Sequence, residues 1–261
     1  MSEFRSWSSF SEFWSMVIRK HRFVRPADME EFLQMVLLTS KGRETTIKAE
    51  RIFWRAQIGS DFQPYYQEDE HIDDLPIPYP PARMKPLVGE SVEGRANPKG
   101  IPYLYLATHR DTALAEVRPW LGTLISVAQF KTVRELRVIN CSGTESRFNF
   151  YLDEPEPPEC EKAVWSDIDR AFSRPITPGD RTAEYAPTQI ISDLFKTKGF
   201  DGIVYRSAFG GGHNVTLFDL DAAELINCSL FEVKEIKFTF AEATNPYFVK
   251  KHYDSQINND I

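Results

Sequence analysis

Strand-like and helix-like patterns follow one another in this chain without the regular strand–helix–strand alternation that a parallel, doubly wound sheet requires. Seven segments read as strands, in which successive side chains point to opposite faces or stay apolar throughout. They cover residues 51–59 (RIFWRAQIG), 103–107 (YLYLA), 123–130 (TLISVAQF), 135–142 (ELRVINCS), 200–208 (FDGIVYRSA), 215–219 (VTLFD) and 230–240 (LFEVKEIKFTF). Helical stripes gather elsewhere. Residues 9–40 read as a helical hairpin, with Phe10, Phe13, Trp14, Val17 and Ile18 on one stripe and Met29, Phe32, Leu33, Val36 and Leu37 on the next. Ser9 and Glu12 have the spacing of a capping box, Pro26 and Asp28 punctuate the chain, and Gly42 ends the second helix. Val164, Ile168 and Phe172 are in helical register over 161–175, and Pro187 and Gly199 bracket a further helix over 188–198. Such a mixture predicts an α+β domain.

The expected organisation is a helical extension over 1–48 packed on the core, a main domain over 49–240 and a polar C-terminal tail over 241–261. Residues 61–94 are rich in Pro, Asp and Glu and are expected to form a long ordered loop or lid with little regular structure. Residues 153–159 (DEPEPPE) read as an acidic, proline-rich loop.

Charge and cysteine usage exclude several function classes. The net charge is -7, without the basic surplus of a protein that tracks phosphate backbones, so no nucleic-acid partner is expected. Cys141, Cys160 and Cys228 are odd in number, widely spaced and form no C-x-x-C pair. They are read as reduced thiols in a cytoplasmic protein. Glu3, Arg5 and Glu12 interrupt any leader-like run, and no apolar stretch approaches the roughly 20 residues that cross a bilayer. The five histidines (His21, His71, His109, His213, His252) include no i, i+4 pair and no ligand cluster, so no metal is expected. There is no G-x-S-x-G nucleophile elbow. The glycine run at 210–212 lacks the lysine of a P-loop and reads as a hairpin turn more readily than as a phosphate cradle.

The stretch 103–120 (YLYLATHRDTALAEVRPW) holds the residue that fits least well. A strand is followed by Thr108 and Asp111 at approximate capping-box spacing and then by a helix over 112–118. On that helix Ala113, Glu116, Val117 and Trp120 share one face. Glu116 is a flank position at the edge of the stripe, an ion-pair partner of an arginine, or a carboxylate facing a cleft. Arg55, inside an apolar strand, and Arg95, at a glycine-bounded turn (GRANPKG), are either edge residues or members of the same cleft. Leu104 and Leu106 point to one face of their strand and Tyr103 and Tyr105 to the other, where Arg55, Arg95 and Glu116 could meet. Two guanidinium forks suit a diphosphate, an aromatic ring suits a flat heterocycle, and a lone carboxylate suits a sugar whose anomeric carbon turns positive. That set describes a dinucleotide glycoside such as NAD.

These residues resemble the RES-domain family, bacterial NAD-degrading toxins named for an Arg, a Glu and a Ser. The resemblance rests on FWRA (Arg55), GRANPKGIPYLYLA (Arg95, Tyr105), TALAEV (Glu116), YAPTQIISDLFKTKGFDGIVYRSA (Ser207) and HNVTLF (Asn214), and it runs from about residue 51 to 219. It implies a fold similar to ADP-ribosyltransferases, a split antiparallel β core with surrounding helices and a cleft for NAD. It implies an NAD glycohydrolase, or an NAD phosphorylase using phosphate, that arrests growth as a toxin. A mono-ADP-ribosyltransferase acting on a protein and an inert binding module on the same fold are the alternatives. By the same resemblance Glu116, Arg95 and Tyr105 are catalytic, with Tyr105 orienting the nicotinamide end. Arg55, Ser207 and Asn214 bind substrate or support its loop, and a cognate antitoxin covers the cleft.

Overall fold

A computed structural model describes residues 3–143, 151–175 and 182–241; most of the 241–261 tail lies outside the described residues. The chain opens with helices α1 (Ser9–Arg19) and α2 (Ala27–Thr39), and a short edge strand follows, β1 (Glu44–Ile47). Next come β2 (Ile52–Ile58), β3 (Asp61–Gln67), β4 (Glu70–Ile77) and the single-turn helix α3 (Pro81–Met84). Strand β5 (Leu104–Ala107), helix α4 (Arg110–Glu116), and strands β6 (Leu124–Thr132) and β7 (Leu136–Asn140) complete the middle of the chain. The last part holds helices α5 (Pro157–Ser173) and α6 (Ala186–Thr197) and strands β8 (Gly202–Arg206), β9 (His213–Leu217) and β10 (Ala223–Glu232).

Eight strands form one sheet in the order β1-β7-β8-β9-β5-β2-β6-β10, antiparallel except for the parallel pair β7–β8. The sheet is nearly divided in two. Strand β2 runs beside β6 over seven register positions and β5 beside β9 over four, whereas β2 and β5 meet only at Trp54↔Ala107. A five-strand half and a three-strand half therefore diverge from a single shared pair. This is the split, mostly antiparallel β core expected, with helices around it.

Alternation along the strands places two apolar layers, one on each face. Ile139, Ile203, Tyr103 and Tyr205 face a layer that includes α1, α2, α5 and α6, where Phe13, Met29, Leu33, Trp165, Phe172 and Phe195 are fully or almost fully buried. Val138, Leu104, Leu106, Val215 and Leu217 face the opposite layer with Phe53, Phe130 and Met84. The N-terminal hairpin is thus continuous with the main core: Phe13 stacks on Phe32 at 4.5 Å within the layer that also holds Phe195. Trp165 reaches back across it, its indole N–H donating to Thr39 at 3.1 Å. Strand β1, within the segment read as the extension, pairs with β7 over four positions.

Residues 61–94 depart from expectation. Rather than a loop throughout, they begin with a two-stranded ribbon, β3 against β4, paired from Asp61↔Ile77 to Gln67↔Glu70 with a register shift between Tyr65 and Tyr66. Glu68 and Asp69 close it with φ of 51° and 66°, the left-handed pair of a two-residue hairpin turn. No Asn-Gly or Asp-Gly marks the turn, both strands carry proline, and nearly every residue is exposed, so the ribbon has no buried face to write an apolar period. The last strand is also displaced. The sequence pattern predicts it over 230–240, whereas it runs over Ala223–Glu232, because pairing with β6 selects it and a register shift at Leu225/Asn227 breaks its period. Helix α5 starts at Pro157, inside the stretch read as an acidic loop, since proline is well tolerated in a helix's first turn.

Phe13→Ala tests whether the helical hairpin and the sheet are one cooperative unit. It is expected to cost about 3–5 kcal/mol, the usual range for emptying a buried phenylalanine site, in a single urea transition. A loss below about 1 kcal/mol, or two transitions, would make the hairpin a separate unit.

Candidate active site at the split in the sheet

A cleft of about 380 Å³ opens where β2 and β5 diverge. Arg55, Arg95, Tyr105, Glu116 and Asn214 line it, and Ser207 touches it through Glu116. The six residues come from β2, the 94–97 turn, β5, the end of α4, the residue after β8, and β9.

Glu116 ends the short helix α4. The capping box read from Thr108 and Asp111 does not form: the helix starts at Arg110 and has no side-chain cap. The Thr108 hydroxyl instead accepts the His213 N–H at 3.0 Å. Trp120 does not share the Glu116 face, because the helix stops at Glu116, Arg118 turns left-handed (φ 47°) and Trp120 is 68% exposed. What positions α4 is the glycine turn between β8 and β9. Thr112 donates its hydroxyl to the Gly211 carbonyl. Gly212 has φ 101°, and a Cβ there would collide with His109 Nδ1. The glycine run is therefore a hairpin turn that packs against the start of α4.

That turn delivers two donors to one oxygen. The Ser207 hydroxyl and the Asn214 side-chain amide each donate to Glu116 Oε1 at 2.7 Å. Hydrogen bonds this short to an ionised acceptor are stronger than neutral ones and fix orientation. Both fall on the same oxygen, and among the described residues no hydrogen bond is made to Oε2. Ser207 and Asn214 thus hold the carboxylate, whereas the resemblance puts Ser207 on the substrate. The strand before Ser207 is itself anchored: Arg206 pairs through Nε with Asp169, whose carboxylate is fully buried and also accepts the Arg206 backbone N–H at 3.3 Å.

Arg55 and Tyr105 face each other across the split. Arg55 Nη1 donates to the Tyr105 carbonyl at 3.1 Å, a carbonyl at the level where the β2–β5 ladder has ended. Burial lowers the Arg55 pKa, and its Nε is buried without a partner among the described residues. The Tyr105 hydroxyl does not project to a ligand. It donates to Asn97 Oδ1 at 2.7 Å and accepts the Ala96 N–H at 3.0 Å, and burial drives its pKa far up. Gly94 is glycine because a Cβ would lie 2.7 Å from that hydroxyl. Tyr105 is the post on which the 94–97 turn rests, and the turn carries Arg95. Arg95 in turn donates Nη2 to the Arg174 carbonyl at 2.6 Å, and its own carbonyl accepts the Thr188 hydroxyl.

The cleft also draws on residues that the sequence reading did not select: Trp54, Arg118, Tyr185 and Tyr205. Arg118 stacks its guanidinium on Phe209 at 4.6 Å. Its only sequence signal is its place two residues after Glu116. Among the described residues, the charged groups lining the cleft are three arginines and one glutamate. The site is locally cationic in a chain of net charge -7, which suits an anionic ligand. No group of three or more metal-ligating side chains occurs among the described residues, and none of their helices is long and apolar enough to cross a membrane.

The RES domain family model matches residues 75–240. This chain belongs to the RES-domain family. Arg95, Tyr105, Glu116, Ser207 and Asn214 fall within the matched RES segment, while Arg55 reaches the site from upstream of it. A solved structure, the crystal structure of the M. tuberculosis MbcT–MbcA toxin–antitoxin complex, is similar at 17% identity and a TM-score of 0.40, over 75% of this chain and 90% of that chain. No curated protein sequence matches.

Tyr105→Phe removes the hydroxyl and leaves a buried Asn97 oxygen and the Ala96 N–H unpaired. It is expected to lower stability by about 1–3 kcal/mol, the desolvation cost of such groups, as measured by urea unfolding. No change would mean that the 94–97 turn does not rest on Tyr105.

Proposed function

We propose that this RES domain cleaves the nicotinamide–ribose bond of NAD, as a glycohydrolase with water or a phosphorylase with phosphate, and that it acts as a growth-arresting toxin in the cytoplasm. The observation that carries the reading is the Glu116 carboxylate, held by Ser207 and Asn214 on one oxygen beside three arginines. Most glycosidases need two carboxylates because their leaving group departs as an alkoxide and must be protonated. Nicotinamide departs as a neutral molecule from a pyridinium cation, so it needs no general acid. One carboxylate is then sufficient, and one carboxylate is what lines the cleft among the described residues.

In this reading the C–N bond breaks and its electron pair returns to the ring nitrogen. Positive charge develops on the ribose, and Glu116 Oε2 stabilises it. An oxygen of water or phosphate then bonds the anomeric carbon, and from water a proton is released. Ser207 and Asn214 act before the chemistry: they spare the carboxylate from reorienting as charge develops. Arg95 holds diphosphate oxygens. Arg55 contributes positive charge and ties the two halves of the sheet together at the same point. A cognate antitoxin that covers the cleft would silence the enzyme without unfolding it.

Glu116→Gln preserves the side chain's shape and the hydrogen bonds on Oε1 while removing the charge. It is expected to lose NAD cleavage by at least about a hundredfold, the scale of losing one transition-state electrostatic partner. Purified protein incubated with NAD, with and without phosphate, is analysed for ADP-ribose, ADP-ribose phosphate and modified protein by mass spectrometry. Near wild-type turnover by a well-folded Glu116→Gln protein would remove Glu116 from the mechanism, and modified protein as the main product would replace hydrolysis with ADP-ribosyl transfer.

Expression alone in bacteria is expected to drain cellular NAD before growth slows, and matched soluble Glu116→Gln is expected to do neither. Arrest with unchanged NAD would sink the NAD-depletion reading.

A further inference from the structure

A second hollow, of about 330 Å³, opens between α1 and α5. Phe10 and Trp14 of α1, Asp167 and Arg174 from α5 and its end, and Glu184 and Tyr185 just before α6 contribute to its wall. It borders the cleft through two contacts. Tyr185 lines both, and Arg95 of the cleft is bonded to the backbone of Arg174, a residue of the hollow. Arg95 and Tyr185 are therefore the junction, with Glu116 on one side and Trp14 on the other.

The two spaces differ in chemistry. The cleft is cationic around one carboxylate. The hollow offers aromatic faces, with two carboxylates balanced by the cations of Arg170 and Arg174. Asp167 is held in place by Arg170, whose Nη1 donates to Oδ1 at 2.8 Å, and among the described residues no bond is made to its other oxygen. An aromatic wall takes a planar base by stacking, and a fixed carboxylate takes a sugar hydroxyl or an exocyclic amine. The cleft alone lies near the small end of ligand pockets, about 300–1,000 Å³, and a dinucleotide has two nucleosides to place.

Resting on the reading of the cleft as an NAD site, we propose that the hollow is the adenosine subsite: the purine stacks on Trp14 and Tyr185, the adenosine ribose donates to Asp167, and the diphosphate lies across Arg95 at the junction. Helix α1 is then part of the substrate site, which gives the N-terminal hairpin a role in recognition beyond its packing.

The test uses ADP-ribose, which carries the adenosine half and needs no catalysis, titrated into the full-length chain by calorimetry. Trp14→Ala is expected to weaken ADP-ribose binding about tenfold, the scale of one base–aromatic stack, and Asp167→Ala to weaken it by a similar factor. Trp14→Phe, which keeps a flat ring, should recover most of the loss. The KM for NAD should rise in the same order with kcat little changed. Thermal melts of each variant report folding, and Trp14→Phe guards against a loss that is only structural. Unchanged ADP-ribose affinity in well-folded Trp14→Ala and Asp167→Ala, or no binding by the wild type, overturns the subsite. If ADP-ribose binds in the expected order but NAD is not cleaved, the subsite stands and the proposed activity falls.

Discussion

A single hydrogen-bonded pair, Trp54↔Ala107, holds the two halves of the sheet side by side. Beyond it the ladder ends, and strands that diverge leave backbone carbonyls that must find other partners. Arg55 answers one of them, spanning the gap to the Tyr105 carbonyl. The same divergence creates the cleft, so the site is a consequence of incomplete pairing rather than a cavity carved into a finished sheet. Because a guanidinium supplies the missing donor, the gap is closed by a positive charge, and the charge that completes the backbone also sets the sign of the site. A lysine at 55 would offer one compact ammonium in place of a planar fork. Bridging the carbonyl and facing the cleft would then compete.

The carboxylate is held by a different logic. Glu116 sits at the end of a seven-residue helix, too short to be rigid by itself. Its orientation comes from the β8–β9 hairpin, which grips both ends of the helix: Thr112 and His109 at its start, and Glu116 through Ser207 and Asn214 at its finish. The pair between the buried Asp169 and the partly exposed Arg206 pins that hairpin to α5. An isolated buried ion pair contributes little net stability, but removing one partner leaves an uncompensated charge. Its value here is positional, since it sits one residue from Ser207.

Much of this was legible in the sequence. The tyrosine/leucine alternation on β5 assigned both faces correctly, and Glu116 stood out as a carboxylate on an apolar stripe. The α+β class followed from irregular alternation, and the helices at 9–40, 161–175 and 188–198 followed from apolar periods long enough to be unambiguous. What could not be read were features set by tertiary contact. The β3–β4 ribbon has no buried face, so it writes no period. The start of α4 is determined by a glycine turn a hundred residues away rather than by its own cap. The Tyr105 hydroxyl is bound by Asn97 and the Ala96 N–H, and nothing in YLYLA reveals that pairing. Arg118 enters the cleft only because the chain turns left-handed there, a conformation that arginine does not advertise.

The site residues are spread from Arg55 to Asn214, so no contiguous fragment shorter than that span contains them all. Chains emerge from the ribosome at about 5–20 residues per second, so synthesis must run for roughly ten to forty seconds before the last of them exists. Until β9 docks against β5, Glu116 lacks the Asn214 donor. The nascent chain therefore lacks the assembled cleft for most of its own synthesis. Products of translation interrupted before Asn214 carry recognisable pieces of the centre but never the centre itself.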